Sequence, residues 1–259
     1  GHRPSIISAI VKYRNTQLLQ QSSIDAMDVH GGRAVMQGKR NYVANVYAGA
    51  PVAITVEGAN ILTRTMMIFG QGAVRCHPYV QEEMQALAEA DKNKGLQRFD
   101  GVLCKHIGFF LSNLVRGLWY GLSNARFSNI PGDKTTRRYY QQLARLSTSF
   151  ALVADFALLS LGGNLKRKER VSGRLADVLS HLYLCSCALK HFENQGSKTH
   201  DIALLQWACQ YSIHRTQQSL LAVFWMLPSR IPAVLLRTVL FPFGKPFLSV
   251  RFSQVSPPL

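Results

Sequence analysis

A single carboxylate, Glu57, sits in the apolar run "AGAPVAITVEGANILTR" of residues 48–64, and no other acid lies within twenty residues on either side. A carboxylate in apolar surroundings is desolvated, which raises its pKa toward neutrality. That is the property a general base needs to take a weakly acidic C–H proton. Gly58, directly after it, leaves room for a substrate beside the carboxylate. The competing assignment is a cap or first-turn acid on a helix starting at Ala59, favoured by the helix dipole. Local chemistry by itself ranks that assignment first.

Three further stretches carry residue types that can do chemistry. In "DAMDVHGGRAVMQG", residues 25–38, the pair Gly31–Gly32 either lets a ligand phosphate or ring approach bare backbone or simply ends a helix. Taken alone, the helix end ranks ahead. In "FGQGAVRCHP", residues 69–78, the glycines do not make a dinucleotide fingerprint, because they follow a helical pattern and the third glycine is missing. His77, next to Pro78, reads as a helix-start residue. Cys76 and His77 have no partners at metal-ligand spacing, and no metal site is expected. The basic stretches "KTTRRYY" (134–140) and "NLKRKER" (164–170) offer an anionic-lipid or nucleic-acid surface, with Tyr139 and Tyr140 as a stacking platform. No helix-turn-helix or other nucleic-acid signature accompanies them, so a solvated face or membrane contact is favoured and no nucleic-acid partner is expected.

The elements that must position these residues are helical throughout. A helix opens after Pro4, places Ile6, Ile10, Tyr13, Gln17 and Ile24 near one stripe, and stops at Gly31–Gly32. Residues 33–50, with Gly38 and Gly49, read as loop with at most a short helix. Helical patterns follow from Ala59, over "PYVQEEMQALAEA", over 97–124, over 135–161, up to about 193, and over 200–227, stopped by Pro228. No alternating strand pattern appears, so the expected fold class is all-α: a helical bundle followed by a second set of long helices. The expected seam is Asp91–Gly95, giving regions 1–95 and 96–259. The final "VRFSQVSPPL" lacks periodicity and is expected to fray. The apolar stretches 147–163 and 220–243 are interrupted by Asp155 and by Pro228, Arg230, Pro232 and Arg237, so both read as core or interfacial helices rather than spans.

Composition narrows the class. With 259 residues, 47 % hydrophobic, the chain buries a real core. It opens at Gly1 with no charged and apolar leader, which suggests a processed chain or a fragment. The five cysteines lack metal or disulfide spacing and read as free buried thiols in a reducing compartment. The net charge of +16 is uneven: residues 101–259 hold 19 Lys+Arg against 6 Asp+Glu, a net of +13. Such an excess implies an anionic partner or a solvated basic face.

Taken in order, "DAMDVHGG … ITVEGANILTR" resembles the C-terminal helical domain of flavin-dependent acyl-CoA dehydrogenases. That family carries Q-x-x-G-G and, further on, E-G-T-x-x-I-x-R. Gly31 and Gly32 match the first motif; Glu57, Gly58 and Arg64 match the second. The continuation "GQGAVRCHP" is similar to the large bacterial subfamily of fatty-acid β-oxidation, which adds a long helical extension. The resemblance covers residues 5–80 closely and the remainder less specifically.

The resemblance implies a function. Glu57 would abstract the pro-R α-proton of a fatty acyl-CoA, and the β-hydride would pass to N5 of FAD, giving trans-2-enoyl-CoA. The backbone N–H of Glu57 would help hold the thioester oxygen, with Gly58 also at the substrate. Gly31 and Gly32 would line the adenosine diphosphate of an FAD from a neighbouring subunit, with Asp28 in the place of the family's Gln. The implied partners are an electron-transfer flavoprotein or similar acceptor and further copies in a homo-oligomer. The implied location is the bacterial cytoplasm, with peripheral contact on the inner membrane as a further option. Departures are Asp28, Ala59 in place of the Thr, and Ala48–Gly49 where the family often carries Arg-Asp; the terminal "SVRFSQVSPPL" also departs from the subfamily. The family's N-terminal helical and middle β-domains are absent, so the chain reads as the C-terminal part of a longer enzyme, inactive and weak in FAD binding alone. The rival expectation is a non-catalytic basic helical module that binds anionic membrane or a partner protein through residues 96–259.

Overall fold

Pro4 presets the backbone for α1, Ser5–His30, which buries Ala9, Ile10 and Tyr13 and leaves Ile24 exposed. The computed structural model describes residues 4–41 and 43–243. Among these residues every regular element is helical, so the all-α expectation holds. The stretch "VRFSQVSPPL" lies outside the described residues.

The chain divides into two compact units, Gly1–Gly72 and Ala73–Leu259. In the first, α1 ends at Gly31 with φ +57, whose N–H donates to the Asp28 and Met27 carbonyls. A short 3-10 turn, Gly31–Val35, follows. The expected loop over 33–50 is corrected: α2 spans Val43–Thr55 and packs on α1. Tertiary packing of its Ala and Val residues overrides the helix-breaking signals of Gly49 and Pro51. Its start has a local signal that sequence reading passed over, since Asn41 Oδ1 accepts the Ala44 N–H at 3.1 Å. Beyond a turn comes α3, Asn60–Leu62, and then nine residues of π-helix, Thr63–Gln71, which bury Ile68 and Phe69 against α1.

The second unit is a bundle. After α4, Gly72–Cys76, the helices α5 (Val80–Leu87) and α6 (Lys92–Ser123) form a hairpin. Asp91 caps α6 by accepting the Asn93 and Lys94 N–H groups, and a Cβ on Gly95 would lie 2.7 Å from the Ala86 carbonyl oxygen. The stretch Asp91–Gly95 is therefore the turn of a close hairpin, while the break between compact units falls at Gly72. Helices α7 (Arg137–Leu161), α8 (Glu169–Asn194) and α9 (Ile202–Met226) form the core with Leu146, Leu152, Leu175, Leu189, Ile213 and Leu220. The last helix, α10 (Arg230–Leu240), crosses α6 where Gly117 and Gly121 admit it.

Arg137–Leu165 is long and apolar enough to cross a membrane by composition, yet α7 packs against α6, α8 and α9 as a core helix. It buries Gln142 and Arg145, both bonded to the Asn124 side chain at the left-handed end of α6. Burial, then the neighbouring Arg138 charge, lowers the Arg145 guanidinium to about 10. All five cysteines are free, but only Cys185 and Cys209 are buried. A hydrogen bond to Cys209 and burial push the Cys185 thiol far up, which keeps it unreactive.

Candidate active-site turn and cofactor cradle

Between α2 and α3 the chain reverses through two consecutive positive-φ residues, Glu57 at +53° and Gly58 at +96°. Glycine accepts that region freely, whereas a glutamate there is strained and must be held by its surroundings. Lys12 on α1 does the holding. Its ammonium donates to the Gly58 carbonyl at 2.8 Å, to Asn60 Oδ1 at 2.8 Å and to the Ile54 carbonyl at 3.4 Å. Asn60 in turn donates to Thr16 Oγ1 at 2.8 Å, and Thr63 Oγ1 donates to the Gly58 carbonyl at 3.3 Å. A cation at these carbonyls also suits the negative end of α2.

Glu57 is neither a cap nor a first-turn acid: Ala59 occupies the cap position of α3 and the first turn holds no acid. The bland local assignment is therefore overturned. So is the expectation that this chain desolvates the carboxylate, because Glu57 is exposed. Its apolar neighbours Val52, Val56, Ile61 and Leu62 are exposed as well, so they flank the carboxylate without wrapping it. Arg64 lies half-buried at the second position of the π-helix.

At the end of α1, the glycine pair opens to solvent. A Cβ on Gly31 or Gly32 would meet nothing within 4 Å, and Asp28 is exposed beside them. Next to the pair is a cavity of about 530 Å³ whose lining includes Arg33, Gln37, Lys39, Arg40 and Asn41. The three cations Arg33, Lys39 and Arg40 in that lining fit the diphosphate of a dinucleotide such as FAD, while Gly31 and Gly32 precede the lining in sequence and are not part of it. Asp28, three residues before Gly31, is not among the described lining residues.

Other stretches singled out from the sequence fall elsewhere. Tyr139 and Tyr140 do not form a stacking platform: Gln210 donates to Tyr139 Oη at 3.5 Å and Tyr140 donates to Glu193 at 2.8 Å, tying both into the bundle. Arg167, Lys168 and Arg170 are exposed, as a solvated face requires. His77 does start a helix, its Nδ1 accepting the Tyr79 and Val80 N–H groups at the head of α5. It also has partners that no local spacing reveals, for Asp155 lies 2.7 Å from its Nε2 and His106 stands beside it. Lys12, Asn60 and Asp155 are the residues sequence reasoning missed, since each acts on a segment more than forty residues away.

Comparison with known proteins adds family and fold. The profile of the family described as acyl-CoA dehydrogenase, C-terminal, bacterial type, matches residues 74–253. The fold is similar to that of an acyl-CoA dehydrogenase complexed with FAD from Bacillus anthracis, with 14 % identity and a TM-score of 0.68. That match covers 93 % of this chain and 36 % of the other, so the chain spans about a third of the length of that relative. Because the profile takes in well over half of its residues, the chain belongs to the bacterial-type acyl-CoA dehydrogenase C-terminal family.

Proposed function

We propose that this chain is the C-terminal part of a flavin-dependent acyl-CoA dehydrogenase that oxidises a fatty acyl-CoA to the trans-2-enoyl-CoA in β-oxidation. The observation that carries the proposal is Glu57, held at positive φ in a turn that Lys12 clamps from beneath. Strain at a polar residue, maintained by a buried-side network, is what active sites retain. The exposed Val52, Val56, Ile61 and Leu62 supply apolar surface on which an acyl chain or a covering domain excludes water from the carboxylate.

In this reading the Glu57 carboxylate takes the α-proton, and its own backbone N–H donates to the thioester oxygen, where charge develops. Gly58 keeps the approach free of a side chain. Arg33, Lys39 and Arg40 would hold the FAD diphosphate, with the bare backbone of Gly31 and Gly32 and the Asp28 side chain contributing from the adjoining end of α1. FAD, when bound, supplies the hydride acceptor for the substrate β-carbon. The electron partner of such an enzyme is an electron-transfer flavoprotein or similar acceptor, and the open glycine pair suits a cofactor shared across a homo-oligomer.

The test is Glu57→Gln in the full-length enzyme containing this chain, with dye-coupled turnover on palmitoyl-CoA. Loss of a general base lowers the rate by about 10²- to 10⁴-fold, with flavin content unchanged. Turnover at the wild-type rate sinks the proposal.

A second reading concerns the surface. On α6, Leu103, Ile107, Leu111, Val115, Leu118, Trp119 and Leu122 are all exposed at helical spacing. An apolar helix face on a basic unit suits peripheral contact with an anionic membrane, which is compatible with catalysis at Glu57.

A further inference from the structure

Three helices of the second unit bring two imidazoles and two carboxylates together. His77 precedes α5, His106 lies on α6 and Asp155 on α7; Glu83 on α5 stands behind His106. The ligand-type atoms of His77, His106 and Asp155 all lie within 4.8 Å of one another. The side chains of His77 and Asp155 are only 9 % and 5 % exposed, and that of His106 is 21 % exposed, which leaves a path from solvent.

The hydrogen bonds fix what each atom offers. Glu83 Oε1 lies 2.7 Å from His106 Nδ1. That pairing places the ring proton on Nδ1 and turns the Nε2 lone pair toward Asp155 Oδ1, 3.9 Å away. A lone pair thus faces a buried carboxylate oxygen. A proton between them does not serve, because 3.9 Å is too long for a hydrogen bond. A cation with bonds of about 2.1 Å to each does serve. The other oxygen, Asp155 Oδ2, is fully buried and has no hydrogen-bond partner among the described residues, a costly state for a carboxylate.

We propose that His106 Nε2, Asp155 and His77 Nε2 form a site for a divalent cation of the zinc class, oriented by Glu83. Two imidazoles and one carboxylate with a position left for water are a donor set zinc accepts. The carboxylate–histidine pair Glu83–His106 is the arrangement that orients a ligating ring. His77 joins at a cost. Its Nδ1 accepts the Tyr79 and Val80 N–H groups, both at 3.2 Å, so its proton sits on Nε2 toward Asp155. Loading displaces that proton, moves the ring proton to Nδ1 and opens these two long backbone bonds. The ion therefore ties α6 and α7 to the segment before α5 while loosening the first turn of α5.

The test uses the 259-residue chain, stripped with a chelator and titrated with Co²⁺, followed by its visible absorption and by competition with Zn²⁺. One equivalent is expected to bind, to be displaced by Zn²⁺ and to speed amide exchange at Tyr79 and Val80. Asp155→Asn and His106→Gln, both chosen to keep side-chain shape, lose the bound equivalent; Glu83→Gln weakens affinity about ten- to hundredfold; His200→Gln, at an exposed histidine outside the cluster, changes nothing. Absence of binding by the unaltered chain overturns the proposal, whatever the variants do. Binding that survives in both Asp155→Asn and His106→Gln overturns it as well, and unchanged exchange at Tyr79 and Val80 removes His77 from the ligand set.

Discussion

Tyr140 donates to Glu193 Oε1 at 2.8 Å, joining the start of α7 to the end of α8. Burial first, and then this bond, push the phenol up from 10.0 to about 12. A raised folded value means a contribution to stability that is complete below pH 10 and is lost as pH rises toward 12. The spectrophotometric difference between the unaltered chain and Tyr140→Phe should therefore titrate near pH 12. A difference curve centred near the ordinary tyrosine value of 10.0 contradicts the buried bond. Lys12 is the other residue whose importance is tertiary: nothing in "IVKYR" distinguishes it from a solvated lysine, and only the return of α2 places three acceptors around its ammonium. Glu57 and Gly58 stood out in the sequence for the opposite reason, as an isolated acid and a bare backbone are local facts.

Helix starts and crossings govern the element scale. Asp133 Oδ1 accepts from the Thr135 N–H, the Thr136 N–H and Thr136 Oγ1, forming a turn that leads into α7. The Thr136 bonds, backbone first, hold the carboxyl below its usual 3.8. A depressed carboxyl contributes stability that is present above its ordinary value and is lost as pH falls through the folded one. Asp133→Ala should cost about 1 kcal/mol at neutral pH, as for a lost cap, and the difference in urea melts should close below pH 3.8. A pH-independent difference removes the charged turn as its cause. Two glycines of α6 make a contrasting pair. A Cβ on Gly121 would lie 2.6 Å from the Val239 carbonyl oxygen, whereas one on Gly108 meets nothing within 4 Å. Thermal melts should show Gly108→Ala stabilising by about 0.5–1 kcal/mol. Gly121→Ala should destabilise by about 1–3 kcal/mol, because the obstacle is backbone. Equal stabilisation by both would mean that α10 does not approach α6 at Gly121.

At the scale of the whole molecule, the two units divide the roles. The candidate base and the glycine pair lie in the first unit, upstream of the residues 74–253 that carry the family profile, and the histidine cluster lies in the second. Residues 101–259 hold 19 basic against 6 acidic side chains, and the exposed apolar stripe of α6 belongs to the same unit. If that surface contacts membrane, the chain should sediment with anionic liposomes at low salt and be released as salt screens the charge. Failure to sediment at low salt removes the membrane reading and leaves Glu57 untouched.

The sequence determined the helical class and most helix positions, because 3.6-residue periodicity, Pro at starts and Gly at ends are properties of contiguous residues. It read the first part of α2 as loop with at most a short helix, where packing on α1 outweighs Gly49 and Pro51. It also determined where the isolated Glu57 and the glycine pair stand. Only the tertiary structure decided that Glu57 is strained and exposed, that Lys12 holds its turn, and that His77 meets Asp155 across 78 residues. Those facts depend on which helices pack together, and no local spacing carries that information.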